Sequence, residues 1–189
     1  FVAASTSNYK PLNLENAKVF GLELELRKNL SGWFSSLTNW NLNFNGSYII
    51  SDEKFSEDEL RLRQLGLRDG QELGDSRPLQ GQSPYLINLG IEYNNQEKGI
   101  QGGLFFNVQG KTLQVVGDGF YPDVYTMPFN NLNFNMIKQL KKNKTLTFKV
   151  TNILDDARES QFIGFNEESE YFSLRNIGRT FSLNYAVRF

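Results

Sequence analysis

The side chains with the most chemical potential are the carboxylates grouped as Asp52-Glu53, Glu57-Asp58-Glu59, Asp155-Asp156 and Glu167-Glu168. Clustered oxygen donors can hold Ca2+, but a calcium loop needs ligands at fixed alternate positions around a glycine, and these runs lack that spacing. Two carboxylates across a cleft can hydrolyse a glycosidic bond, yet nothing in the spacing sets any two of them across one. Gly117-Asp118-Gly119 is a lone glycine pair rather than a phosphate cradle. Asn29-Leu30-Ser31 and Asn143-Lys144-Thr145 match a glycosylation pattern too short to be informative. The 189 residues hold no Cys and no His, which removes thiol nucleophiles, disulfides, zinc fingers, iron–sulfur clusters and the commonest general base. Twenty Lys and Arg stand against 21 Asp and Glu, a net charge of −1 that implies no nucleic-acid partner. The expectation is therefore no enzyme, no cofactor and no metal, with the acidic runs read as solvated loop charge. One of them has a structural use: Ser56-Glu57-Asp58-Glu59 is a capping box that predicts a short helix through Leu65-Gly66.

The elements that would position these groups are strands. In the last ten residues Phe181, Leu183, Tyr185, Val187 and Phe189 alternate with Thr180, Ser182, Asn184, Ala186 and Arg188. Strict period 2 over ten residues predicts a strand with one apolar and one polar face. Its length matters, because soluble strands average about 5–6 residues and membrane-crossing strands need about 9–11. The same pattern recurs at Phe20 to Arg27, Asn39 to Ile50, Tyr85 to Tyr93, Gly103 to Gln109, Asn131 to Met136 and Thr145 to Thr151. That makes seven strands, with Phe1 to about Ser7 as the stub of an eighth. The polar faces are rich in Asn (Asn39, Asn41, Asn43 and Asn45 in one strand), although Asn is disfavoured in strands. Mean hydropathy is −0.45 and 14% of the chain is aromatic, the combination that alternating strands produce. No apolar run approaches the roughly 18 residues of a membrane-spanning helix.

Connections alternate between short (residues 29–34, 94–99 and 139–143) and long (residues 51–80, 112–125 and the stretch before the last strand). Short turns on one rim and long loops on the other is the plan of an outer-membrane barrel, with the C-terminus on the short-turn, periplasmic side. Two other architectures share the alternation: a soluble β-sandwich binding module, and a self-contained eight-stranded outer-membrane barrel acting as an adhesin or structural protein. The chain begins at Phe1 without a Met, a basic segment or a signal-like apolar stretch, which reads as a cut; its end, Arg188-Phe189, reads as a terminus embedded in structure.

Five segments then carry a family resemblance. Arg77-Pro78-Leu79-Gln80-Gly81-Gln82-Ser83-Pro84-Tyr85-Leu86-Ile87-Asn88-Leu89-Gly90 resembles a stretch near the C-terminus of TonB-dependent receptors, especially those of Bacteroidetes-type bacteria. Phe106-Asn107-Val108-Gln109-Gly110-Lys111 running to Val116-Gly117, Tyr121-Pro122-Asp123-Val124-Tyr125 with Pro128, Val150-Thr151-Asn152-Ile153-Leu154-Asp155, and Gly178-Arg179-Thr180-Phe181-Ser182-Leu183 follow in the family's order. Asn16 followed by Gly21-Leu22-Glu23-Leu24-Glu25 resembles a further strand of the same family. The resemblance implies an all-β fold: a transmembrane antiparallel β-barrel, of which this chain supplies about eight C-terminal strands out of about 22. It implies a bacterial outer-membrane location and active nutrient uptake energised by TonB. The partners implied are outer-membrane lipid, an N-terminal plug and earlier strands lying before Phe1, TonB through that missing region, and a surface lipoprotein on the long loops. Phe181, Leu183, Tyr185, Val187 and Phe189 are expected to face lipid and to serve as the signal read by the outer-membrane assembly machinery.

Overall fold

The computed structural model describes residues 16–118, 120–141, 143–166 and 168–188. Phe189, Glu167, Gly119 and the expected strand stub from Phe1 to Ser7 lie outside them. In chain order the elements are β1 (Ala17–Asn29), a 3-10 turn (Leu30–Gly32), β2 (Trp40–Lys54), α1 (Glu57–Leu65) and β3 (Ser76–Arg77). There follow β4 (Tyr85–Asn95), β5 (Ile100–Gln109), β6 (Thr112–Val115) and β7 (Asp123–Thr126), then β8 (Asn131–Lys141) and β9 (Lys144–Thr151), and finally β10 (Arg158–Ile163), β11 (Glu170–Arg175) and β12 (Thr180–Val187).

The fold is all-β and antiparallel. Each of the seven expected strands forms, and they lie in the order β1-β2-β4-β5-β8-β9-β12, a meander with the two-residue β3 attached to the end of β2. Several run longer than their alternation suggested: β2 continues to Lys54 and β5 starts at Ile100. Register follows the pattern, because a slip of one residue would exchange the two faces. Leu26, Phe44, Leu89, Phe106 and Leu132 are successive Cα partners across five strands, and Glu25, Asn45, Asn88, Asn107 and Asn131 form the adjacent row on the opposite face. Such rows let neighbouring amides bond one another, as Asn29 Nδ2 does to Asn41 Oδ1 at 3.0 Å, which offsets the poor strand propensity of Asn.

The long connections are not loops throughout. Residues 110–130 fold into β6 and β7, residues 152–179 into β10 and β11, and the four pair as a second sheet ordered β11-β10-β7-β6. Two distant connections are thereby joined through the β7–β10 ladder, where Tyr125 faces Gln161 and Val124 faces Phe162. The third long connection holds α1, with Ser56 Oγ accepting the Glu59 amide at 3.2 Å and Gly66 as the C-cap. The expected helix is present.

What the fold lacks is a core. Among the described residues the buried hydrophobic side chains are Leu113 and Val124, both in the second sheet, and Val150 near the end of β9. The apolar face of the main sheet lies open, with Phe20 73%, Leu22 69% and Leu183 70% exposed, and even mid-sheet Leu104 is 42% exposed. No helix is long and apolar enough to cross a membrane.

Candidate functional site

Four of the five residues expected to face lipid sit on the edge strand β12. Phe181, Leu183 and Tyr185 share one face, 67%, 70% and 54% exposed, beside Val150, Phe148 and Leu146 of β9. Val187, opposite Lys144, completes the row; Phe189 falls outside the described residues. β12 pairs on one side only, and among the described residues no ladder joins it to β1, so both lateral edges of the sheet are open.

The segment from Arg77 to Tyr85 is a belt that ties the two sheets together. The Leu79 amide donates to Ser51 Oγ at 3.1 Å, Gln80 Nε2 to the Gln114 carbonyl at 2.7 Å, and the Gly81 amide to the Leu113 carbonyl at 2.8 Å. Gly81 has φ of +79°, a conformation that a side chain disfavours. Ser83, 3% exposed, donates from Oγ to the Tyr85 carbonyl at 2.8 Å, while Pro84 leaves its own carbonyl to the Ile49 amide at 2.8 Å. A second hub is Asn152, 4% exposed with φ of +54°. Its Nδ2 donates to the carbonyls of Asp156 and Gly178, and its Oδ1 accepts the Asp156 amide. Asp156 in turn accepts the Asn130 amide at 2.7 Å. Both hubs belong to segments that carried the family resemblance.

Beneath α1 lies an ionic chain absent from the sequence reading. Glu53 binds Arg77 through both oxygens at 2.7 and 3.1 Å; Glu59 Oε1 accepts from Nε of both Arg77 and Arg63 at 3.0 Å; Arg63 clasps Asp123 at 2.8 and 3.3 Å. Asp123 Oδ1 also accepts the Gly117 amide at 2.8 Å. All five side chains are at most 17% exposed. The expectation that the acidic runs are solvated therefore fails for Glu53 and Glu59, while Asp58 stays in solvent. The capping box is also only half formed, because Glu59 spends its carboxylate on the two arginines. Burial lowers the Arg63 pKa, but the bonds and charges of Asp123 and Glu59 more than reverse it, so the guanidinium is held more firmly charged than usual. Arg63 also stacks on Phe55 at 4.8 Å. Tyr125, next along β7, is pushed above the ordinary phenol range by burial and by Asp123, against the pull of Arg63 and Arg77. The only local sequence hint was the Glu59–Arg63 spacing of four on a helix; residues 53, 77 and 123 meet through topology.

On the polar face of the main sheet, Asn43, Asn88, Asn107, Asn133, Glu92 and Arg27 line a shallow depression of about 470 Å³. Asn43 Nδ2 bonds Glu92 at 2.9 Å. Phe105 covers Gly90 and Gly103, where a Cβ would come within 3.1 and 2.8 Å of its ring. Amides that donate and accept, with one aromatic plate, make a surface for neutral hydrogen-bonding groups. Among the described residues no group of three or more acidic side chains could hold a metal ion. No protein-family model, curated protein or solved structure matches the chain.

Proposed function

We propose that this chain forms barrel wall and extracellular loops of a TonB-dependent outer-membrane receptor, the C-terminal part of a larger transmembrane barrel used for active nutrient uptake. The observation that carries the reading is a single-layer antiparallel meander whose apolar face is uncovered while its other face is amide-rich. A soluble sandwich would bury such a face against a second layer. The second sheet here is built from β6, β7, β10 and β11 and buries two hydrophobic side chains of its own, Leu113 and Val124, while Leu104, Ile91 and Leu89 of the main sheet stay uncovered. On this reading the apolar face meets lipid, the polar face meets the plug and the aqueous lumen, and the segment takes part in no catalysis. The belt at residues 77–85 and the loop sheet stand outside the cell, where a surface lipoprotein could meet them, and the short turns face the periplasm.

The experiment uses the absence of Cys from the chain. Single cysteines at Glu72, in a long connection, and Glu97, in a short turn, are probed on intact cells with a bulky maleimide too large to cross the outer membrane. Glu72→Cys is expected to label, and Glu97→Cys only after the membrane is permeabilised. Labelling of both, or of neither, on intact cells counts against the reading. The coding sequence upstream separates the two membrane alternatives: a plug and further strands are expected there, whereas a signal peptide directly before residue 1 would make this a self-contained small barrel.

A further inference from the structure

The apolar face is not a rectangle aligned with the strands' pairing rows; it crosses them diagonally. On β1 four outward apolar residues, Phe20 to Leu26, are bracketed by Lys18 and Lys28. On β2 the apolar run from Trp40 to Ile50 ends at Asp52, which pairs with Lys18. Following Cα partners from Lys28 leads through Leu42 and Leu104 to Phe134 on β8, and on to Phe181 on β12. One row therefore starts at the lower charged limit of the band on β1 and finishes at its upper limit on β12.

Both limits shift in the same direction. The upper limit is Phe20 on β1 and Phe181 on β12; Phe181 lies on the row of Lys28, eight residues below Phe20, after six strand-to-strand steps. The lower limit is Lys28 on β1 and Lys138 on β8; Lys138 lies four residues beyond Phe134, the residue on the row of Lys28, after four steps. A shift of about 1–1.3 residues per strand, at roughly 3.3 Å per residue and 4.8 Å between strands, is an angle of roughly 35–43°. Transmembrane barrels tilt their strands by about 35–45°. The ten residue-to-residue steps from Lys18 to Lys28 span roughly 33 Å along the strand, which at that tilt is about 25 Å along the normal, the height of an outer-membrane apolar band.

We infer that this diagonal band is the footprint of a lipid bilayer crossed by strands inclined at about 40°. It rests on the membrane reading above and adds what that reading does not contain: a depth for each outward residue. Lys18, Asp52, Lys28 and Lys138 mark the two headgroup levels, where long charged side chains reach water while their stems stay apolar. Trp40 stacked on Tyr93 at 5.1 Å, and Tyr48 opposite Tyr85, are aromatic pairs close to those same levels. Leu104 lies within roughly 4 Å of the midplane, whereas its row-mates Leu42, two strands away, and Phe181, three strands away, lie roughly 6 and 9 Å from it toward opposite surfaces.

The test places a nitroxide at Leu42→Cys, Leu104→Cys or Phe181→Cys in the whole protein, reconstituted in phosphatidylcholine–phosphatidylglycerol vesicles. Depth is read from the ratio of oxygen to nickel-chelate accessibility. Leu42 is expected to lie roughly 6 Å nearer one surface than Leu104, and Phe181 roughly 9 Å nearer the other. Equal depth at all three sites would overturn the tilt while leaving the membrane reading intact. High nickel access at all three would overturn both. Should one variant fail to insert, Ile91→Cys on the same row is expected at a depth between those of Leu42 and Leu104, and a depth outside that interval overturns the tilt.

Discussion

Arg63 holds together parts of the chain that share no local pattern. It spans Glu59 on its own helix and Asp123 on β7, and Glu59 passes the contact on to Arg77 and Glu53. Removing one member of a buried ionic network leaves the others desolvated and unpaired, a cost of about 3–5 kcal/mol. Arg63→Gln is therefore expected to speed amide exchange in α1 and in β7 together, with β8 and β9 unchanged; acceleration confined to α1 would mean that the two connections are independent. Tyr125 supplies a pH test of the same region. Its folded pKa lies above the unfolded value of about 10, so its contribution to stability is complete below pH 10 and is lost as pH rises through the folded value. Protection of β6 and β7 is expected to decline above about pH 10, and Tyr125→Phe is expected to remove that decline. An unchanged alkaline slope in the variant would assign the loss to other groups. None of this was legible in the sequence beyond the helix that presents Arg63. A capping box is a local signal, whereas a contact between residues 53, 77 and 123 depends on where the strands carry them.

At the scale of elements, legibility followed length. β1, β2, β4, β5, β8, β9 and β12 have 8 to 15 residues each, enough cycles of alternation to fix both type and face. β6 and β7 have four residues each, and two cycles of alternation cannot be told from chance. Their pairing is also non-local, with β7 bound to β10 across the whole β8–β9 hairpin, so the second sheet had no sequence signature. β12 is the element on which face assignment is best tested. Leu183 and Asn184 are neighbours on opposite faces, paired with Phe148 and Thr147 of β9. If the apolar face meets lipid, Leu183→Arg near the midplane is expected to destabilise the folded protein in vesicles by roughly 2–4 kcal/mol, and Asn184→Arg by much less. Denaturant titration in phospholipid vesicles measures the difference; equal costs would remove the face assignment.

For the whole molecule the decisive quantity is uncovered apolar area. Seven strands about 4.8 Å apart, with a band of roughly 33 Å along each, present on the order of 1,100 Å² of contiguous apolar face. Soluble monomers rarely show a patch above about 300–600 Å². The absence of Cys and His, the charge balance and the negative mean hydropathy all fit a soluble domain equally well, so composition could not separate the two. Register does, because it assembles seven half-apolar strands into one continuous surface. The two lateral edges add to the problem, since β1 and β12 both present unpaired backbone groups among the described residues, and open apolar edges pair with other chains. Expressed alone in water, these 189 residues are therefore expected to aggregate and to come into solution only with detergent. Sedimentation with and without a non-ionic detergent checks this directly. A monodisperse monomer in plain buffer would require the apolar face to be covered by the chain itself, which is the arrangement of a sandwich and not of a barrel wall.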